Sequence, residues 1–189
     1  MDNLVPTLEH EEQHIAAAQK DPRAFRPLYE RYHKPVFLFV YRRVDSESTA
    51  TDITSQVFLS ALLHLKNYQV TKAPFLAWLY RIAHNEVMQF FRKTKHVRKI
   101  VIDERLLAEL QNEEDYPPDY LEHWQTRLVK AIDALPLEEV HLLELRFFEQ
   151  KPFREISFIL NITETHAKVK TYRLLAKLRK QMEIQTPSS

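Results

Sequence analysis

The sequence contains no cysteine and no glycine among its 189 residues. The absence of cysteine excludes disulfide bonds, thiolate metal sites and cysteine nucleophiles, and it is consistent with a reducing compartment. The absence of glycine excludes phosphate-binding loops that need close backbone approach, so we expect no nucleotide-driven chemistry and no cofactor. It also disfavours tight hairpins and favours helices joined by Pro, Asn, Asp and Ser turns.

Long apolar runs and a strong net charge are also lacking. No stretch approaches the roughly 20 apolar residues of a membrane span, and Met1–His10 has no basic segment followed by an apolar one. We therefore expect a cytoplasmic protein with no membrane partner. The formal net charge is only +1, so an argument for nucleic-acid binding must rest on where the charges lie.

The residues that could support catalysis or metal binding are poorly placed for either. His10 and His14 have single-turn spacing, but no third ligand is near them in the sequence, so we expect no metal site. The paired acids Glu113-Glu114 and Glu138-Glu139 lie in a polar segment and on a polar helix face, without an apolar pocket to shift their pKa. We therefore expect a protein that is not an enzyme.

Apolar residues recur at helical spacing through the N-terminal half, which predicts an all-α fold. In the segment Ala24–Val44, Pro27 and Pro35 predict either two short helices or one bent helix. Ser46–Lys66 is predicted to be a helix capped by Ser46 or Ser48. A further helix is predicted from Pro74 to about Lys95, with an apolar face and a polar face that becomes basic toward its end.

The segment Ile100–Glu122 is rich in acidic residues and contains Pro117 and Pro118. We interpret it as a linker between two small helical domains, at Ala17–Lys99 and His123–Met182. Leucines within the linker could form a short docked helix; they are Leu106, Leu107 and Leu110.

The C-terminal half ends with the sequence pattern of a helix-turn-helix. Leu121–Ala134 and a segment opened by Pro136 are predicted helices, and a short helix Phe153–Leu160 follows them. Asn161 stands at a sharp turn, because asparagine tolerates the left-handed conformation, and Thr163 is predicted to cap a final basic helix. Charge alone leaves an alternative open, since a solvated basic helix of a bundle has the same composition.

A family resemblance is carried by three stretches of the N-terminal half: Ala24–Tyr32 (AFRPLYERY), Asp52-Ile53 with Phe58-Leu59, and Phe75–Asn85 (FLAWLYRIAHN). In the C-terminal half it is carried by Ala131–Pro136, Glu155-Ile156 and Lys168–Lys170. In this order and spacing the motifs resemble the extracytoplasmic-function sigma factors of bacterial RNA polymerase, in the sigma-70 family. The resemblance covers about Ala17–Arg179 except the linker.

The resemblance implies a protein that directs core RNA polymerase to promoters through two domains. The first domain would dock on the coiled coil of the largest polymerase subunit through Asp52, Ile53 and Gln56. The same domain would capture the melted minus-ten element with aromatic, polar and basic side chains: Tyr68, Lys72, Tyr80, Arg81, Asn85, Arg92 and Lys93. The second would read the minus-thirty-five element as duplex through Thr163, Thr165, His166, Lys168, Lys170, Tyr172 and Arg173. An anti-sigma factor would be a further partner, which the sequence does not identify.

The sequence departs from the family pattern at several of these positions. Ser55 and Gln56 stand where glutamine and glutamate are common, and Gln89 replaces a usual aspartate. Asn161 replaces the usual turn glycine, and Thr165 and His166 replace small residues of the recognition helix, so promoter sequence is not transferable from relatives. Two alternatives stay open: a helix-turn-helix regulator with an N-terminal dimerisation module, and a degenerate sigma-like module that binds proteins without starting transcription.

Overall fold

The computed structural model describes residues 10–44, 46–70, 74–94, 106–107, 110 and 118–183, with the backbone alone for 118–125 and 183. Within these ranges the chain forms helices and turns and no strand, which confirms the predicted all-α fold. By its internal contacts the chain divides into two compact units, Met1–Lys99 and Ile100–Ser189. Among the helices described, none is both long enough and apolar enough to cross a membrane.

The described part of the N-terminal unit contains four α-helices: α1 (Glu11–Lys20), α2 (Arg26–Val44), α3 (Glu47–His64) and α4 (Phe75–Thr94). A 3-10 turn at Pro22–Phe25 precedes α2, and another at Leu65–Asn67 follows α3. The Oγ of Ser46 accepts the Thr49 N–H at 3.4 Å and so caps α3 as predicted. The carbonyl of Pro74 accepts the Ala77 N–H at 2.9 Å, which places Pro74 just before the first residue of α4.

Helix α2 is one continuous helix although Pro35 lies inside it. Of the two predicted forms, two short helices are therefore wrong. Pro27 lies in the first turn, where an amide has no helical partner to lose. The energetic cost of Pro35 is offset by its surroundings, because Val36, Phe39 and Val40 next to it are fully buried against α3 and α4.

Two helix boundaries differ from the predicted domain limits. Helix α1 begins at Glu11, before the predicted domain start at Ala17. Its apolar side consists of small or isolated residues, Ile15 and Ala18, which give a weak periodic signal in the sequence. In the second unit a helix begins at Pro118, inside the predicted linker, because proline is well suited to the first turn of a helix. Most of the predicted linker lies outside the described residues.

The C-terminal unit consists of α5 (Pro118–Asp133), α6 (Leu137–Leu143), α7 (Phe153–Leu160) and α8 (Glu164–Glu183). A π-helical turn, Glu144–Phe148, continues α6. Its core is formed by aliphatic side chains from all of these elements: Leu128, Ile132, Leu142, Leu145, Ile156, Ile159, Leu174, Leu175 and Leu178. Leu106 and Leu110 are also buried, as expected of leucines that dock.

Candidate nucleic-acid interface

The helix-turn-helix of the C-terminal unit is built around Asn161. This residue ends α7 in the left-handed conformation, with φ 56° and ψ 45°, as the sequence predicted. The Ile162 N–H then donates to the Ser157 carbonyl at 3.0 Å and closes the helix end. Two residues later the Oγ1 of Thr163 accepts the His166 N–H at 3.1 Å, which confirms Thr163 as the cap of α8.

Helix α8 separates an apolar side from a polar side. Ala167, Thr171 and Leu174 are buried, and the Thr171 hydroxyl is satisfied by donating to the Ala167 carbonyl at 2.8 Å. The predicted DNA-binding residues lie on the other side. Exposed residues are Thr163, Thr165, His166, Lys168, Tyr172 and Arg173, while Lys170 is half-buried. Tyr172 keeps 54% of its surface accessible, although it is aromatic. The structure therefore brings these residues to one exposed part of the unit.

A cluster beside α8 was not predicted. The Arg146 guanidinium lies 4.7 Å from the centre of the Phe153 ring, and the Phe153 ring lies 6.4 Å from that of Tyr172. Arg146 also donates to the Lys151 carbonyl at 3.3 Å. Arg146 and Phe153 belong to different helical elements, and Phe153 precedes Tyr172 by 19 residues, so no single local motif indicated this cluster.

One face of α3 carries the predicted polymerase-binding residues and two leucines that were not predicted. Asp52 and Gln56 are exposed, whereas Ile53 is buried in the core. The predicted contact of Ile53 with polymerase stays a prediction. Leu59 and Leu63 follow on the same face, at helical spacing, with 50% and 68% of their surfaces exposed. The two leucines could have been found from the sequence, because they continue the helical spacing of Asp52 and Gln56.

Tyr68 lies after the turn that ends α3, and its ring is buried. The ring centre is 4.7 Å from that of Trp78 and 5.3 Å from that of Phe75. Burial, together with the nearby carboxylates of Glu11 and Glu12, raises the pKa of Tyr68 to about 12. The Tyr68 ring therefore packs against Phe75, a core residue, and half-buried Trp78, and its predicted stacking on a DNA base stays a prediction.

The predicted DNA-binding residues of α4 also include both buried and exposed side chains. Tyr80 is only 5% exposed and stacks on Phe39 at 4.5 Å between ring centres, and its predicted role in capturing a base stays a prediction. Asn85, Arg92 and Lys93 are exposed and Arg81 is half-buried. Lys72 lies outside the described residues.

Beneath the α4 surface lies a buried pair of basic side chains. Arg43 of α2 is buried, and its Nη1 donates to the Phe39 carbonyl at 2.6 Å. Burial lowers the pKa of His84 to about 4, and the charge of Arg43 acts in the same direction. His84 is therefore neutral near pH 7 and adds no positive charge beside Asn85.

Comparison with known proteins identifies the family. The family model described as Sigma-70 region 2 matches residues 28–97, which include α2, α3 and α4. An extracytoplasmic-function RNA polymerase sigma factor of Streptomyces coelicolor, BldN, is 30% identical over 158 residues, and these cover 82% of this chain. The sigma factor SigZ of Bacillus subtilis is 27% identical over 157 residues, which cover 82% of this chain. The chain belongs to the extracytoplasmic-function sigma factors of the sigma-70 family.

This sigma factor spans different shares of its relatives. It covers 59% of the length of BldN and 85% of that of SigZ. The fold is also that of the sigma factor RpoE from Bartonella quintana, solved in complex with the anti-sigma factor NepR. The TM-score to that structure is 0.54 at 13% identity, and the match covers 86% of this chain and 98% of that one.

The matched part of the sigma factor contains both the α3 face and the exposed residues of α4. Arg81, Asn85 and Arg92 are separated by four and seven residues, so they lie on one stripe of α4, whereas Lys93 lies to one side of it. The predicted DNA-binding residues of α8 lie beyond the matched segment. Their predicted role depends on the geometry of the helix-turn-helix.

Proposed function

We propose that this sigma factor binds core RNA polymerase through α3, holds unpaired promoter DNA with α4, and reads duplex DNA with α8. The observation that carries the proposal is that α8 has one buried apolar side and one exposed polar side. The apolar side packs in the core of the C-terminal unit, so the exposed residues from Thr163 to Arg173 are available to a partner.

The start of α8 has the chemistry of a duplex reader. Thr165 and His166 lie in the first turn after the cap, where a recognition helix presents side chains to base edges in the major groove. Lys168, Lys170 and Arg173 follow as cations for phosphate oxygens. Arg146, placed beside Phe153, adds a cation from outside α8 at the edge of the same surface.

The stripe on α4 has the chemistry of a strand binder. Arg81 and Arg92 supply cations for the backbone, and Asn85 between them offers both a donor and acceptors to a base. Because Tyr68 and Tyr80 are buried, this mode depends on polar contacts more than on aromatic stacking.

The face of α3 has the chemistry of a protein-binding site. A carboxylate at Asp52 gives orientation. Covering the surface that Leu59 and Leu63 still expose, 50% and 68%, supplies a favourable hydrophobic term of roughly 1 to 2 kcal/mol for each leucine. We include an anti-sigma factor among the proposed partners, since exposed leucines of this kind would also suit a competing protein.

The test is run-off transcription from genomic fragments with cognate core polymerase, with and without the sigma factor. We expect promoter-dependent products, about tenfold fewer with Asp52→Arg or Leu63→Glu at limiting concentration. Glu47→Arg is the matched control, because Glu47 is exposed in the first turn of α3 and lies away from the Asp52 face.

Three results would count against the proposal. Absence of any promoter-dependent product would contradict it, while core binding without transcription would favour a degenerate protein-interaction module. Tight and specific duplex binding by the free protein, indifferent to core polymerase, would instead favour an ordinary helix-turn-helix regulator.

A further inference from the structure

Helix α1 lies outside the segment that matches the family model, yet one of its side chains reaches the turn after α3. The Nε2 of Gln19 donates to the Leu65 carbonyl at 3.0 Å and to the Tyr68 carbonyl at 2.7 Å. A primary amide has two N–H donors, so one side chain satisfies both acceptors at once. Gln19 therefore connects α1 to both ends of the turn Leu65–Tyr68.

The turn is anchored on its inner side by other contacts. The Tyr68 N–H donates to the Leu65 carbonyl at 3.0 Å, and the Leu65 side chain is buried. The Tyr68 ring packs between Phe75 and Trp78. The outer side chains of the segment are all exposed: Lys66, Asn67, Gln69 and Val70.

Helix α1 is itself held to the body of the N-terminal unit. Ile15 and Ala18 are buried, and the Tyr32 hydroxyl of α2 donates to the Glu11 carboxylate. A side chain on a fixed helix loses less freedom on making its hydrogen bonds than one on a loop. Gln19 can therefore limit the conformations of a segment whose other anchors, among the residues that the structure describes, are Leu65 and Tyr68.

We propose that Gln19 is a positioning residue, which holds the exposed segment Lys66–Val70 in the orientation in which it meets unpaired promoter DNA. The inference rests on the proposed function, because the expected effect on promoter DNA requires that α4, the helix after this segment, binds the unpaired strand. It assigns α1 a role in strand opening and none in polymerase binding.

The variants are designed to separate the hydrogen bonds from the bulk of the side chain. Gln19→Met keeps the length of the side chain and removes both donors, while Gln19→Lys restores a donor of similar reach. Gln13→Met is the matched control, because Gln13 is an exposed residue of the same helix.

The first measurement is strand opening by holoenzyme on a promoter fragment recovered by run-off transcription. Permanganate reactivity of thymines reports the opened strand, and core affinity is measured in parallel. We expect opening to fall about five- to tenfold with Gln19→Met, to recover with Gln19→Lys, and to stay unchanged with Gln13→Met, all at wild-type core affinity. Unchanged opening with Gln19→Met would overturn the inference, and so would an equal loss of opening and core affinity.

A wild-type holoenzyme that opens no promoter would count against the proposed function. The second measurement tests the role of Gln19 in that case too, because it does not require promoter opening. Amide hydrogen exchange of the full chain reports the Tyr68 N–H directly. We expect Gln19→Met to exchange this amide about fivefold faster than the wild type does. Exchange equal to the wild type would refute the positioning role, whatever the outcome for transcription.

Discussion

The guanidinium of Arg43 lies 3.6 Å from the centre of the Phe39 ring, and its Nη1 also donates to the carbonyl of the same residue. One buried cation is thus held by both the ring and the backbone of the residue one helical turn before it. Such a planar contact is specific to arginine, because an ammonium group does not stack in the same way.

We therefore expect Arg43→Lys to destabilise the N-terminal unit by about 2 kcal/mol, through weaker stacking and a poorly satisfied buried charge. Urea unfolding followed by Trp78 fluorescence in a Trp124→Phe background assigns the change to this unit. Arg42→Lys is the exposed control and should change the free energy of unfolding by less than about 0.5 kcal/mol. An equal effect of the two substitutions would contradict the role given to the Phe39 contact.

His84 predicts a pH dependence of stability. Its pKa is lowered to about 4 from an ordinary 6.5, so the unfolded chain binds a proton more readily than the folded chain. Its contribution is fully present above pH 6.5 and is lost as the pH falls through 4, to a total of about 3 kcal/mol. Urea unfolding between pH 7.5 and pH 4.5 measures the slope. His84→Gln should flatten it, and an unchanged slope would exclude His84 as its source.

The cap of α8 predicts a local loss of stability. Thr163→Ala removes the acceptor for the His166 N–H and should cost about 1 kcal/mol in the C-terminal unit. Thr165→Ala, also exposed and in the first turn of α8 but not at the capping position, should cost much less. Urea unfolding followed by Trp124 fluorescence in a Trp78→Phe background measures both. Equal losses would argue against the capping bond.

The left-handed turn predicts a contrast between two substitutions at one site. Asn161→Ala should destabilise the C-terminal unit by about 1 kcal/mol, since a Cβ without a polar group is disfavoured at a φ of 56°. Asn161→Gly should leave the free energy of unfolding near that of the wild type, because glycine has no such penalty. The same fluorescence assay compares them, and a more stable alanine variant would be inconsistent with this conformation.

The basic residues of α8 predict a salt effect on duplex binding. Lys168→Ala or Arg173→Ala in holoenzyme should weaken binding to promoter duplex and lower the slope of log affinity against log salt by about one. Lys130→Ala, an exposed lysine of α5, should leave the slope unchanged. Filter binding at several salt concentrations gives the slopes. Wild-type slopes in both α8 variants would show that these cations do not meet phosphates.

Local signals in the sequence were sufficient to predict two helix caps and the left-handed turn. Ser46, Asn161 and Thr163 act where they were expected to, because caps and left-handed turns depend on a few adjacent residues. The start of α1 at Glu11 was not predicted, since its apolar pattern is weak. Helix α5 begins at Pro118, three residues before the predicted start at Leu121, because a periodic apolar pattern does not fix the exact end of a helix.

The burial of three predicted site residues could not be predicted from the sequence, for a common physical reason. Tyr68, Tyr80 and Ile53 are of residue types that suit either a core or an interface, and composition does not decide between them. Their burial depends on rings from distant helices, such as Phe39 on Tyr80. Gln19 was overlooked because its hydrogen bonds reach residues far along the chain.

The exposed leucines of α3 have a consequence for how the two binding events respond to their surroundings. Covering Leu59 and Leu63 removes apolar surface from water, so polymerase association should carry a negative change in heat capacity. Binding of α8 to duplex, as proposed, would instead release counterions and depend on ionic strength. Temperature would therefore act mainly on the recruitment of polymerase, and salt mainly on the affinity for DNA.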